Sequence, residues 1–379
     1  MTNEHTTAIA YETLADFAPD WIVTPGDTIS DLLEERGWTQ TELAQRLGCT
    51  PKHIHLLLKG TASITQDTAL KLEKVLGSTA RFWMGLETQY REQLARQSEL
   101  TAFEKDTPWL KEIPLNDMLK FGWVQKLDNK VLQVVECLKY FAVSSVTGWR
   151  NQYQHPVAAY RASEKLTKKP AAVSTWLRQG ERLADDIHCE LFDKAKFTTT
   201  LQQIRALTTE CEPASFLPKL QTLCAQAGVA VVIAPAPQGC PVSGATKWLS
   251  PDKALIILSV RGKSDDKLWF TFFHEAAHLL KHGKLLTFLD ILGEDGLNPE
   301  EEEEANNFAR DFLLSSSAYR TFVGSHKGNQ LNMQTVRIFA KEQGVAPGIV
   351  VGRLQFEKLL PYNHLNALKV KYQWAHDKK

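Results

Sequence analysis

The chain has 379 residues, with 44 Lys and Arg against 44 Asp and Glu, a formal net charge of zero, and 43% hydrophobic residues. That length exceeds the usual range of one core and the apolar content suffices for large ones, so two or three domains are expected. Neutrality argues against a protein that coats nucleic acid or lies on a membrane surface, and no apolar run approaches the ~20 residues that span a bilayer. Met1 to Thr7 is polar and lacks a signal-peptide core, which predicts a cytoplasmic protein with no membrane partner. Cysteines at 49, 137, 189, 211, 224 and 240 have no CxxC spacing and read as reduced thiols, neither a disulfide framework nor a cysteine metal site.

Thr39 to Thr50 reads as a short helix and a turn, and Pro51 to Gly60 as a second helix. Leu43, Ala44, Leu47, Ile54 and Leu57 have the spacing that packs two such helices together. Gly48 permits the turn, Thr50 can cap, and Pro51 suits the first helical position. This helix-turn-helix grammar predicts a second helix in a DNA major groove, offering Lys52, His53 and His55 to bases and phosphates, with Lys59 nearer the backbone. Gln40 and Thr50, at the two helix starts, complete the candidate DNA contacts. From Thr24 to Arg96 basic and acidic side chains are about equal in number, so the useful charge is local to Lys52, Lys59 and nearby arginines.

The stretch Pro25 to Arg96, with Ile64-Thr65, Ala69 to Glu73, Leu76-Gly77, Phe82 to Glu87 and Tyr90-Arg91, resembles the HigA-like branch of Cro/C1-type (XRE) repressors. The resemblance implies a five-helix domain over residues 1–100 that binds operator DNA as a homodimer, with a cognate toxin as a further partner. A module kept for protein interaction is the other reading of these residues.

Residues 101–218 read as a helical linker or sensor region. Val131, Leu132, Val135, Leu138 and Phe141 form one apolar stripe, and Val173, Trp176, Leu177, Leu183 and Ile187 another. Trp176 to Glu181 resembles the middle of long proteins that join a HigA-like head to an ImmA/IrrE tail; no chemistry is implied there.

Two Val- and Ile-rich segments, Gly228 to Ala234 and Ala254 to Val260, read as strands. Ser264-Asp265-Asp266 then offers capping chemistry for an apolar helix that contains Phe273-His274-Glu275-Ala276-Ala277-His278. Positions i and i+4 share a helix face, so His274 and His278 can bind one metal ion. Glu275 stands where a general base takes a proton from metal-activated water. The motif points to a zinc-dependent hydrolase. A third ligand is expected from Glu300 to Glu304, which leads into the amphipathic stripe Ala305, Phe308, Ala309, Phe312 and Leu313. Glu301 and Glu302 both fall near its buried face, and spacing does not separate them. Glu300, Glu301 and Glu303 suit a solvated acidic face. His282 reads as a helix-end residue favoured by the dipole, not as a fourth ligand.

Together with Gly228 to Val232, Ser243 to Trp248, Ala254 to Leu258, Glu302 to Leu314, Ile338 to Ala340 and Val350 to Leu354, this motif resembles the ImmA/IrrE metallo-endopeptidases. The resemblance implies zinc on His274, His278 and Glu302, Glu275 as the base, and a residue at 306 that supports a zinc-bound His from behind. Many relatives have Asp where this chain has Asn306. The expected fold is α+β, mainly α with a small β-sheet: the helix-turn-helix domain, the helical middle, and a zincin-like metallopeptidase domain over 219–379.

Cys240, in a Pro- and Gly-rich loop before Ser243, has two readings: a latch whose thiolate fills the fourth zinc position, or a loop thiol without a role. The segment Ser243 to Trp248 is expected to be a free sheet edge that pairs with an extended peptide. Tyr319, Arg320 and His326 are oxyanion candidates by position in the chain alone. The functional expectation is a regulator that cleaves a repressor, or itself, to relieve repression. The alternative is a HigA-type antitoxin whose second domain is a non-catalytic toxin-binding or sensing module.

Overall fold

Thr24, Thr39, Thr50, Thr65 and Thr79 each stand at the start of a helix, and each hydroxyl accepts from the backbone N–H three residues on. A threonine cap contributes about 1 kcal/mol per helix, so the five boundaries are set locally. The computed structural model describes residues 23–154, 170–282, 288–291, 299–326 and 331–374. The chain forms two compact units, Met1–Lys105 and Asp106–Lys379.

The first unit contains α1 (Pro25–Arg36), α2 (Gln40–Leu47), α3 (Pro51–Leu58), α4 (Gln66–Leu76) and α5 (Ala80–Phe103). Ile29, Leu33, Leu43, Ala44, Leu47, Ile54, Leu57, Leu72 and Trp83 share one core. Gly48 ends α2 at φ 65°, a left-handed position that favours glycine. Arg36 donates to Val75 O and Leu76 O, closing the C-terminal end of α4.

The second unit continues with α6 (Leu115–Lys120), α7 (Lys130–Phe141), α8 (Val146–Trp149), α9 (Pro170–Asp185), α10 (Lys194–Leu207) and α11 (Pro213–Ala225). Then come β1 (Val229–Ile233), β2 (Val242–Ser250), β3 (Lys253–Leu258), α12 (Asp265–Lys281) and β4 (Phe288–Ile291). It ends with α13 (Pro299–Leu313), α14 (Ser316–Ser325), α15 (Met333–Gln343) and α16 (Pro347–Phe356). The architecture is α+β. The strand order is β1-β3-β2-β4, with β1 parallel to β3 and the other pairs antiparallel.

Side chains alternate across a strand. Val229, Val231, Ala254, Ile256 and Leu258 join the core that contains Phe272, Phe273 and Ala276 of α12. Ile257 points the other way, onto Gly180 of α9, where a Cβ would collide with it. An apolar sheet of this kind needs cover on both faces, and α9 supplies the second cover. Every residue from Ala171 to Leu177 is buried, and Trp176 Nε1 donates to Ala234 O at 3.0 Å.

That packing corrects two expectations and gives a third its surroundings. Of the region 101–218, read from sequence as a linker or sensor, α9 lies on the sheet, while Phe197, Leu201 and Ile204 of α10 and Phe216 and Leu220 of α11 belong to the core around α12. The inward face of α7 is Val134, Cys137, Leu138, Tyr140 and Phe141, with Leu132 exposed, because Phe141 meets the Trp109 and Trp149 rings. And β2 is not a free edge over its first half, since Val242, Gly244, Ala245 and Thr246 pair with Ile291, Asp290, Leu289 and Phe288 of β4. Those backbone groups of β2 take their partners from the chain itself.

The N-terminus of α12 is held by the chain's last segment. Asp265 N donates to Val370 O, Val370 N donates to Asp265 Oδ1, and Lys369 Nζ lies 2.6 Å from Asp266 Oδ2. The expected Ser264 side-chain cap does not form; its hydroxyl donates to Asp266 Oδ1 at 2.5 Å instead. Gly348 and Gly352 of α16 give the two carboxylates room that any Cβ would take.

Burial, with the Asp266 charge beside it, pushes the Asp265 carboxyl up to about 7. Its unfolded value is about 3.9, so ionising it costs folding free energy: the cost is absent in acid, grows as pH rises from about 4, and levels off above about 7. Replacing Asp265 by Asn removes this cost while keeping an acceptor for Val370 N. Denaturant unfolding at pH 5 and pH 8 should show D265N gaining stability over the native chain with rising pH, by roughly 3 kcal/mol at this shift. An equal difference at both pH values refutes it.

Candidate metal centre

Helix α12 is apolar around most of its circumference because it lies between the sheet and α13, and its polar exceptions converge. His274 and Glu275 are 1% and 0% exposed and His278 is 1% exposed. Glu302, in the first turns of α13, is 8% exposed, whereas Glu300 and Glu303 are exposed and Glu301 is half-buried. The helix phase therefore separates Glu302 from Glu301, which spacing alone left together.

His274 Nε2 and His278 Nε2 are 3.0 Å apart. Glu302 Oε2 lies 3.2 Å from the first and Oε1 lies 3.5 Å from the second. Among the described residues, these three form the one group of His, Cys, Asp or Glu whose ligand atoms lie within 4.8 Å of one another. Asn306, one turn beyond Glu302, places Oδ1 3.1 Å from His274 Nδ1. An amide oxygen only accepts, so His274 donates from Nδ1 and its Nε2 carries a lone pair. Burial, reinforced by the neighbouring imidazoles of His274 and His278's other neighbour His282, pushes His278 down to about 2, which leaves the ring neutral.

Glu275 is set by β2. Thr246 Oγ1 donates to Glu275 Oε2 at 2.6 Å and lies 3.1 Å from Glu275 O. Gly244, two residues earlier on the same face, leaves the space the carboxylate occupies: a Cβ there would come within 2.6 Å of Glu275 Oε1. Neither Thr246 nor Gly244 could be found from helical periodicity. Their place in the segment Ser243 to Trp248, next to the motif in space but not in sequence, was the only signal.

The far end of α13 is anchored by two guanidinium groups. Arg205 of α10 donates to Phe312 O, Leu313 O and Gln343 O, and Arg353 of α16 donates to Arg310 O and Leu314 O. Cations at these last carbonyls satisfy a helix end and hold the register that turns Glu302 inward.

Other candidates are placed elsewhere. Cys240 is buried and is not in the ligand group; burial pushes its thiol up to about 12, and a protonated thiol is a poor ligand. Arg261, three residues beyond β3, donates to Cys240 O. Tyr319 lies under the Arg353 guanidinium, Arg320 donates to Ser316 O, and His326 Nδ1 is 3.0 Å from Phe322 O. His282 is also outside that group, and its ring lies against His278, with Nδ1 to Nδ1 at 2.9 Å.

In the first unit, Gln40, Thr50, Lys52, His55 and Lys59 are exposed and His53 is half-buried. Thr50 accepts from His53 N at 3.2 Å, Pro51 takes the first position of α3, and Ile54 and Leu57 point into the core. Lys52 and His55 thus face outward on the first turns of α3, with Lys59 just past its end. Among the described residues no helix is long and apolar enough to cross a membrane.

Comparison with known proteins identifies both domains. Residues 29–83 match the helix-turn-helix family model, and residues 224–354 match that of the IrrE N-terminal-like domain. The uncharacterized HTH-type transcriptional regulator YddM of Escherichia coli K12 is 33% identical over 66 residues, covering 17% of this chain and 70% of that protein. Virulence-associated protein I of Dichelobacter nodosus is 30% identical over 76 residues, covering 20% and 70%. Among solved structures, a HigA-family addiction module antidote protein from Coxiella burnetii is 30% identical, with 22% of this chain and 92% of that one covered, at a TM-score of 0.21. An antidote protein of a plasmid maintenance system from Nostoc punctiforme gives 31%, 22%, 91% and 0.21. The chain belongs to the XRE-type helix-turn-helix regulators through its first unit and carries an ImmA/IrrE-like metallopeptidase domain in its second.

Proposed function

We propose that this protein is a cytoplasmic operator-binding repressor whose second domain is a zinc metallo-endopeptidase, and that it cleaves a repressor, or its own chain, to relieve repression. The observation that carries the reading is the convergence of His274 Nε2, His278 Nε2 and both Glu302 oxygens in a site nearly closed to water. Lone pairs brought this close repel unless a cation lies among them. A tetrahedral ion with metal–nitrogen distances of about 2.0–2.1 Å spaces its donors roughly 3.3 Å apart, and the observed separations of 3.0, 3.2 and 3.5 Å fit that demand. Two imidazoles and one carboxylate also leave one position open, as a catalytic zinc requires.

Zinc held there would acidify a water molecule and polarise the scissile carbonyl. Glu275 accepts the water's proton and returns it to the leaving amine. Thr246 holds Glu275 Oε2, and Gly244 leaves the room that the carboxylate occupies. An extended substrate pairs with the sheet beyond β4 or along Lys247 to Ser250, since β4 already takes the first half of β2. A homodimer of the first unit would present two copies of α3 to a palindromic operator. The antidote proteins among the structural relatives make a cognate toxin a further candidate partner.

One observation favours the second reading, a non-catalytic sensing or toxin-binding module: Glu275 has no exposed surface. Purified native chain and E275Q, each with measured zinc, incubated with operator DNA and the neighbouring gene products, separate the two. Cleavage by the native chain alone supports the peptidase; zinc in both with cleavage in neither supports the module. T246V should retain zinc and lower turnover roughly tenfold, the worth of one hydrogen bond to a charged group. Loss of zinc in T246V would contradict the role assigned to Thr246. For the DNA site, K52A should weaken operator binding and reduce the slope of log affinity against log salt by about 0.9, one phosphate contact. An unchanged slope in titrations at several salt concentrations removes Lys52 from the interface.

A further inference from the structure

Asn306 accounts for the Nδ1–H of His274, but the corresponding atom of His278 meets another imidazole. His278 Nδ1 lies 2.9 Å from His282 Nδ1, and His282 Nε2 lies 3.2 Å from Glu304 Oε2. Lys281 Nζ holds the other oxygen of that carboxylate, Oε1, at 2.6 Å. These contacts order the protons from Glu304 inward. A carboxylate accepts and does not donate, so His282 carries its proton on Nε2 and offers a lone pair at Nδ1. His278 then donates from Nδ1 and carries a lone pair on Nε2, the atom that faces His274 and Glu302. The His282 side chain is 4% exposed, so water does not compete for its ring nitrogens.

We propose that His282 and Glu304 are positioning residues for His278: Glu304 sets the tautomer of His282, and His282 in turn sets the tautomer and ring plane of His278, presenting Nε2 to the ion. The inference rests on the metal reading above. It makes α13 a three-part support, with Glu302 as ligand, Asn306 behind one histidine, and Glu304 behind the other through His282. It also gives the residue after α12, His282, a task that its place at a helix end does not suggest.

Partners behind a metal-bound histidine typically contribute 10- to 100-fold in metal affinity. The test uses the full-length chain, stripped of metal and titrated with zinc alone against a chromophoric chelator, followed by the visible spectrum of the cobalt(II)-loaded form. H282A should bind zinc about 10- to 100-fold more weakly and shift the cobalt bands. E304Q, at an exposed position that does not burden folding, should show a smaller loss in the same direction. E303Q removes the same charge from the neighbouring exposed position and should bind as the native chain does. Native affinity and an unchanged cobalt spectrum in both H282A and E304Q overturn the proposal. So does an E303Q loss equal to that of E304Q, which would make the effect one of general charge. If the native chain itself takes up no zinc, the metal reading falls and this inference with it, and that outcome is read from the native titration before any variant is compared.

Discussion

Two imidazoles and two carboxylates are buried in the seam formed by α12, α13 and β2, and the second unit is arranged around satisfying them. A buried polar group without a partner costs free energy that a domain of marginal stability cannot absorb many times. Each group in the seam accordingly has a defined neighbour: Asn306 for His274, His282 for His278, Thr246 for Glu275, and the two imidazoles for Glu302. These neighbours come from three separate elements, so the seam is formed only when the whole unit is folded. The apolar packing of Phe272, Phe273 and Ala276 against the sheet fixes α12 in rotation, and Arg205 and Arg353 fix α13 along its length.

The same logic explains why the helices between 106 and 225 belong to the second unit. A sheet that buries Ile256 toward α12 must also bury Ile257 on its opposite face, and α9 meets that demand through Gly180 and Trp176. Lys247, on the half of β2 beyond β4, reaches Glu181 of α9 at 2.5 Å, and Arg178 reaches the other oxygen of that carboxylate at 3.0 Å. What looks in sequence like a linker is the second wall of the sheet that carries Gly244 and Thr246. The first unit is built differently. Its boundaries are local, a threonine cap at every start, and its polar face along α3 follows directly from the apolar positions Ile54 and Leu57.

That difference decides how much could be read in advance. The helix-turn-helix was legible almost to the residue, since Thr39, Gly48, Thr50 and Pro51 act on backbone within three or four positions. His274, Glu275 and His278 were equally legible, because one helical turn puts them together. Glu301 against Glu302 was not, as their Cα positions differ by only about 100° around the helix and the deciding angle is set by docking. The face of α7 was misplaced for a similar reason, its rotation being fixed by aromatic rings at Trp109 and Trp149. The expected free edge at Ser243 was half taken by β4, whose pairing with β2 depends on a return of the chain that no local pattern encodes.

By itself, then, the sequence determined the α+β class, the reading helix with its outward Lys52, His55 and Lys59, and the pair of histidines with a glutamate between them. These follow from interactions within one or two helical turns. The tertiary structure alone decided that Glu302 and not Glu301 faces the histidines, that Thr246 and Gly244 shape the place of Glu275, that Cys240 stands outside the ligand group, and that His282 with Glu304 backs His278. The contacts of Thr246 with Glu275, Asn306 with His274 and Glu304 with His282 join residues 22 to 32 apart in the chain, and contacts over such separations exist only once the helices and the sheet have packed.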